Sequence, residues 1–388
     1  LQTWLPTPGE QNEMMSRDGR EAGQFLTAQQ RGVVLSEIMA ANGTYGADML
    51  RYDWVELHNP TDRPVVLGGL YLSDDAGDLK KWAFPRNAIL RANTLAVVYC
   101  TDDPAPRPEK GKYFNDAFEI DKTGGAVILS DGNSIIDCVS LGTQHANVSF
   151  GRPEGQGAFR FLDVITFLKP NPSSGCSQRL PPVGFSQSGG MASAPFTLSL
   201  AVPDNGIVHY TLDGTEPTEA SEIYKEPLLI WQNTVVRAFS RRDGWISSPV
   251  ATQTYLFDQP PEHPVVCVTG DPAFFFGNMG FFVKGAPKFV GERPVNVEIY
   301  EDGTAQVNQQ AGLRLTGGTS RIYLPRTFSL YARAGLGESS FRYNPFPDRY
   351  YGEYSCLTLR SGGTDILWTH MRDGFLSHLA QGYGLMYL

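Results

Sequence analysis

Trp54-Val55-Glu56-Leu57-His58-Asn59 decides the fold class. Its residues alternate at a period of two, so an extended chain places Trp54, Glu56 and His58 on one face and Val55 and Leu57 on the other. A helix would scatter the same residues around its circumference. Residues 33–39 (Val-Val-Leu-Ser-Glu-Ile-Met) read as a strand just before it, and residues 40–48 are a Gly/Asn turn region. Asn59-Pro60-Thr61-Asp62 is a turn signal after it. Further strands are expected over residues 65–72, 95–100, 126–129 and 134–139, with Asp131-Gly132-Asn133 as a hairpin turn between the last two. Many short strands with turns at regular spacing imply a β-sandwich.

The composition agrees. Among 388 residues there are 41 Gly and 27 Pro, and 12% are aromatic, which favours short strands and turns over helix bundles. The length fits two to four domains. A net charge of −9 and a pI near 5.2, without a Lys/Arg-dense run, exclude a nucleic-acid footprint and gain nothing from an anionic membrane. No apolar run approaches the ~18 residues needed to span a bilayer. The five cysteines (Cys100, Cys138, Cys176, Cys267, Cys356) contain no Cys-x-x-Cys pair, and their odd number forbids complete internal pairing. Cys100, Cys138, Cys267 and Cys356 lie in apolar strand-like runs and are expected to be buried free thiols.

A second module is expected over residues 177–257, after the Pro-rich boundary at Lys169-Pro170-Asn171-Pro172 and Pro181-Pro182. Residues 196–200, 207–212 and 234–239 alternate as strands, and Asp213-Gly214-Thr215-Glu216-Pro217-Thr218 is a turn. Asp213 and Glu216 lie too close within that turn to act as the opposed acid and base of a glycosidase. Trp231 and Trp245 flank turns, so each either packs in a small core or stacks on a sugar ring. In the first module, Asp74, Asp75 and Asp78 either hold Ca²⁺ through oxygen ligands or serve as turn residues.

Residues 258–263 form a linker, and residues 264–388 a third region. It opens on a strand and turn at 264–271, has a strand and turn at 294–303, and reads as loop over 277–291. Its later runs place Arg314, Arg326, Arg333, Arg342, Arg360 and Arg372 in an acidic chain. Such arginines either gather phosphate or pair with the surplus carboxylates. Gly317-Gly318-Thr319-Ser320-Arg321 can form a small anion nest from successive backbone N–H groups. No Gly-x-Ser-x-Gly elbow, His-Glu-x-x-His helix or Walker-type loop occurs.

Three resemblances sharpen this reading. Leu-Ser-Glu-Ile-Met-Ala-Ala-Asn (35–42), Asp-Trp-Val-Glu-Leu-His-Asn-Pro (53–60), Leu-Gly-Gly-Leu-Tyr-Leu-Ser-Asp-Asp (67–75), Lys81-Trp82-Ala83-Phe84-Pro85 and Ser-Phe-Gly-Arg-Pro-Glu-Gly (149–155) resemble the lamin tail domain. That implies a non-catalytic immunoglobulin-like sandwich over residues 33–176. Pro-Thr-Pro-Gly-Glu-Gln-Asn (6–12) resembles the closing phrase of that family, so residues 1–32 are expected to be a linker bearing the tail of a preceding, similar module. Tyr-Thr-Leu-Asp-Gly-Thr-Glu-Pro-Thr (210–218), with Tyr224, Pro227, the Val-Val-Arg-Ala strand and Ser247-Ser248, resembles the chitobiase/β-hexosaminidase C-terminal domain, also immunoglobulin-like and accessory.

Gly-Leu-Arg-Leu-Thr-Gly-Gly-Thr-Ser-Arg (312–321), Phe-Ser-Leu-Tyr-Ala-Arg (328–333), and Leu-Arg-Ser-Gly-Gly-Thr-Asp (359–365) followed by Met-Arg-Asp (371–373) resemble the opening segment of the CotH family of atypical protein kinases. The resemblance implies a nucleotide near Arg314, Gly317, Gly318, Ser320, Arg321, Arg326 and Arg360. Arg326 stands where the family pattern has a lysine. Asp365, Arg372 and Asp373 are expected to tie strand ends to a helix over 373–381.

The expected fold class is therefore mainly β: two immunoglobulin-like β-sandwich modules followed by an incomplete α+β CotH-like segment. The expected protein is a secreted or surface-attached bacterial one, whose complete form uses Mg·ATP to phosphorylate a surface or coat protein. The family's metal-binding acids are expected beyond Leu388, which would leave this part without catalytic residues and without a tightly bound cofactor. The alternative is a surface adhesin or glycan-binding scaffold, and a third reading is a structural spacer.

Overall fold

The computed structural model describes residues 32–43, 52–101, 111–155, 157–257, 263–283, 285, 291–318, 321, 324–333, 335–345, 352–362, 371 and 375–376. The chain is mainly β. It divides into two compact units, Leu1–Arg179 with Gly244–Ile246, and Leu180–Asp243 with Ser247–Leu388.

The first unit is a sandwich. A six-stranded sheet runs in the order Arg160–Leu162, Ser149–Gly151, Val34–Met39, Asp53–Asn59, Thr94–Cys100, Lys112–Asn115. A four-stranded sheet runs Ile135–Leu141, Gly125–Ser130, Tyr71–Ser73, Trp82–Ala83. Val55 and Leu57 meet Leu72, Val127 and Leu129 in the core between them. Each such fully buried side chain contributes about 1.5–3 kcal/mol. The Ile135–Leu141 strand lies at the edge of its sheet and buries Val139 and Leu141, which turns Cys138 and Ser140 to solvent. Cys138 is thus exposed rather than buried; Cys100 is buried, and Cys267 and Cys356 are half-buried.

Both faces of Asp53–Asn59 are covered, which alternation alone does not imply. On the face away from the core, Ile165, Phe167 and Leu168 pack against Met39, Trp54, Val97 and Tyr99.

The second unit is built on one long sheet. Its path is Glu222–Ile223, Ile207–Thr211, Thr234–Arg241, Ala251–Leu256, Gly190–Met191, Thr304–Leu315, Glu292–Glu301, Val265–Thr269; Phe328–Tyr331 pairs with Thr304–Leu315 and carries Cys356–Leu359. The regions read from sequence as 177–257 and 264–388 therefore contribute strands to one sheet. Gly190 joins them, running parallel to Tyr255 and antiparallel to Thr304. Its φ is +140°, and a Cβ there would collide with the Gly303 carbonyl, so only glycine fits. Pro272–Phe276 forms one helical turn, capped by the Asp271 side chain accepting from Ala273 N. The sequence reading ends its turn at Asp271 and assigns nothing over 272–276.

Arg237 fixes the 213–216 turn. It is 3% exposed, donates to Thr252 Oγ1 and the Gly214 carbonyl, and pairs with Glu216. Asp213 accepts from Thr215 N and Oγ1, and these bonds hold its pKa below the usual carboxylate value. The turn reading of Asp213 and Glu216 is the one observed.

Across the seam, fully buried Glu298 accepts from Thr254 N at 3.0 Å, from the Thr254 hydroxyl, and from the Tyr300 hydroxyl at 2.6 Å. Asn308 donates to the Thr252 carbonyl at 2.7 Å. Replacing Glu298 by Leu leaves two Thr254 donors without acceptors, at about 1–3 kcal/mol each. Glu298→Leu is expected to lower the unfolding free energy of this unit by about 2 kcal/mol or more in urea denaturation, and Glu298→Gln by less.

Candidate functional site

The C-terminal strands of the second unit alternate cleanly. Leu313, Leu315 and Leu330 are buried in one cluster, with Phe328, Leu357 and Leu359 packed against it. The residues between them form the opposite face. Register pairs Glu292 with Arg314, Arg314 with Ser329, and Ser329 with Thr358. The hydroxyls of Thr316 and Ser329 lie 2.7 Å apart and those of Ser329 and Thr358 3.0 Å apart. Beside this chain, Thr327 and Ser361 form a second hydroxyl pair at 2.9 Å. Arg314 is exposed in this row, and Arg360, also exposed, follows two residues after Thr358. Sheet geometry therefore gathers Arg314 and Arg360 around a file of hydroxyl groups.

Arg326 goes elsewhere. It is 5% exposed, and its Nη2 donates to the carbonyls of Val283 and Gly285 at 2.7 and 3.0 Å. The neighbouring Phe281 and Phe282 lie edge-on to Phe328, which fixes this as the core side of the sheet. Nε and Nη1 of Arg326 are enclosed without any hydrogen-bond partner, and burial lowers its pKa from the usual arginine value. The sequence had grouped Arg326 with Arg314 and Arg360; the strand pattern places them on different sides.

The glycine loop is partly described. Gly317 has φ +111° and Gly318 is exposed. Arg321 folds back, its Nε donating to the Gly318 carbonyl at 3.2 Å. Ser320 lies outside the described residues, as do Asp365, Arg372, Asp373 and most of the expected helix over 373–381. Two other arginines pair with carboxylates: Arg333 makes a two-point contact with Glu292 at 3.0 and 2.7 Å, and exposed Arg342 lies 3.6 Å from Glu353. Glu292 was not singled out from sequence. Its signal was Gly312, where a Cβ would strike the Glu292 carboxylate. A glycine inside a strand often marks such an approach.

The remaining candidates are placed as follows. Trp231 is 60% exposed beside Leu229 at 65%, while the intervening Ile230 is buried. Trp245 is half-buried. Asp74 pairs with Lys81 at 2.6 Å, Asp75 accepts from Gly77 N, and Asp78 accepts from Lys80 N. Among the described residues no three His, Cys, Asp or Glu side chains converge to hold a metal ion. A cavity of about 230 Å³ beside Asp74 is lined by Phe118, Ile120, Asp121 and Leu141; Asp121 is occupied by Thr123. No helix among the described residues is long and apolar enough to cross a membrane.

Two family models match parts of the chain. Residues 27–143 match the Lamin Tail Domain, in agreement with the immunoglobulin-like sandwich of the first unit. Residues 196–255 match the Fn3 associated family, which covers the Arg237-clamped turn and its flanking strands. A search of curated proteins found no match.

Arg326 and Arg237 are equally buried but differently satisfied, which yields a prediction. Arg326→Met removes two nitrogens that have no acceptor and is expected to leave stability within about 1 kcal/mol of the parent. Arg237→Met breaks a completed set of contacts and is expected to cost about 3 kcal/mol. Urea denaturation of the two variants checks the contrast; equal losses would mean that Arg326 is a structural residue.

Proposed function

We propose that residues 264–388 are the opening part of a CotH-like atypical kinase domain, and that this part gathers the phosphates of Mg·ATP. The reading carries with it a secreted or surface-attached bacterial protein, in which the lamin-tail unit and the chitobiase-like region 177–257 are accessory modules. Phosphoryl transfer to a surface protein would belong to the complete domain. The observation that carries the proposal is Arg326. A buried guanidinium with two unpartnered nitrogens is unstable in isolation, and a phosphate oxygen is the acceptor that matches its charge and fork geometry. Arg314 and Arg360 stand on the opposite, hydroxyl-lined face, so they add to the local positive potential without contacting the same phosphate. ATP brings the phosphates and Mg²⁺ offsets their charge.

Calorimetric titration of Mg·ATP into the chain tests this. Saturable binding is expected, weakened about tenfold or more by Arg326→Ala and unchanged by Arg342→Ala, since a hydrogen bond to a charged group contributes about 1.5–3 kcal/mol. Absence of binding to a chain shown to be folded by circular dichroism would overturn the proposal.

A second reading, glycan binding, is favoured by one observation. Trp231 and Leu229 together form an exposed apolar spot, and an exposed indole face stacks well on a sugar ring. Saturable retention on insoluble polysaccharide, lost in Trp231→Ala with the fold intact, would establish it. Equal retention of the variant would remove it.

A further inference from the structure

The outer face of the lamin-tail sheet holds two carboxyl groups that neither reading uses. Glu37 and Glu56 are register partners on the adjacent strands Val34–Met39 and Asp53–Asn59, and both are fully buried. Residues 163–168 cross this face as a strap. Thr166 donates to Glu37 through its N–H at 3.3 Å and its hydroxyl at 2.8 Å. Leu168 N donates to Glu56 Oε2 at 2.7 Å. Between them, Phe167 packs edge-on to Trp54 at 5.4 Å and beside Tyr99 at 6.1 Å. The strap is thus tied to the sheet by the same two carboxyl groups that flank its aromatic anchor.

The electrostatics of this arrangement are unbalanced. Glu56 Oε1 is enclosed and has no hydrogen-bond partner. Nearby basic groups are engaged elsewhere: Lys112 sits over the Phe167 ring at 5.7 Å, and Arg152 pairs with Asp137 at 2.7 Å and donates to the Leu35 carbonyl. Lys169 is exposed at the end of the strap. His58, two residues from Glu56 on the same strand, is half-buried, and burial lowers its pKa. Tyr99, from the next strand, has a buried hydroxyl with no partner. The Ser36 and Ser149 hydroxyls and the Asn171 amide, whose Oδ1 lies 2.7 Å from the Thr166 hydroxyl, are further polar side chains near the pair, and none carries charge. Two like charges in so dry a site cannot both form at ordinary cost.

We propose that Glu37 and Glu56 share a proton and act as a latch: protonated, the pair holds the 163–168 strap closed over Met39, Trp54, Val97 and Tyr99, and loss of the proton lifts it. The lifted strap bares an aromatic face that is covered in the closed state. Burial first, and then the Glu37 charge, push the Glu56 carboxyl up to about 8; burial also raises Glu37. The folded pKa values lie above the unfolded ones, so the latch contributes its full stability below the ordinary carboxyl range. That contribution is lost as pH rises through about 8.

The readout must be local, because Asp53, raised to about 7 mainly by burial, also makes global stability fall as pH rises. Hydrogen exchange of the Thr166 and Leu168 amides in the full chain, corrected for intrinsic base catalysis, meets that need. Measured from about pH 6 to about pH 9, these amides should lose tenfold or more in protection relative to the Ile128 and Leu129 amides of the opposite sheet. Acrylamide quenching of Trp54 fluorescence should rise over the same range. Glu56→Gln mimics the protonated form and should stay closed throughout; Glu37→Gln should do the same if the first variant does not fold. Constant protection of both amides in the parent protein, or an equal pH-dependent loss in a folded Gln variant, overturns the latch.

Discussion

The second unit depends on one buried carboxylate. Glu298 lies where the Ala251–Leu256 strand meets Glu292–Glu301, and its oxygens take up the donors of Thr254 and Tyr300. No direct strand pairing joins those two elements. They connect through the two-residue strand at Gly190–Met191, which pairs with only one residue of Thr304–Leu315. So short a ladder is weak, and the side-chain bonds across the seam carry much of the join. The region that matches the Fn3 associated family and the C-terminal strands are joined by those bonds.

The first unit uses the same device in a less stable form. Glu37 and Glu56 also satisfy backbone N–H groups from a distant segment, here the strap at 163–168. Glu298 stands alone and all its donors are at hand, whereas Glu37 and Glu56 face each other and leave Oε1 unmade. A single buried carboxylate with a filled set of donors is a fixed joint. Two that compete for a proton make a joint whose strength depends on pH.

Legibility in the sequence followed distance along the chain. The Trp54–Asn59 alternation and the Asp213 turn were readable because their causes are local: a period of two, and hydrogen bonds over two residues. The covering of Glu56 was not readable, since its donor Leu168 lies 112 residues away. Cys138 was misplaced because an apolar-looking run hid an alternation in which Val139 and Leu141 face inward. The helix at Pro272–Phe276 had a local signal, Asp271 before a proline, which is an N-terminal cap pattern. Among the arginines, sequence order gave proximity but not side. Arg314 follows the strand alternation, while Arg326 is turned by carbonyls some forty residues earlier.

That division of the arginines bears on what the C-terminal region can do. Arg237 gives each of its three nitrogens a partner, a hydroxyl, a carbonyl and a carboxylate. Arg333 is likewise committed to Glu292. Arg326 uses one nitrogen on two carbonyls and leaves the other two buried and unmade. Desolvating a guanidinium without completing its hydrogen bonds is unfavourable, and an apolar side chain of similar volume would avoid that cost. A charge held in that state has unspent capacity for an acceptor, which is the property the proposed phosphate role would use.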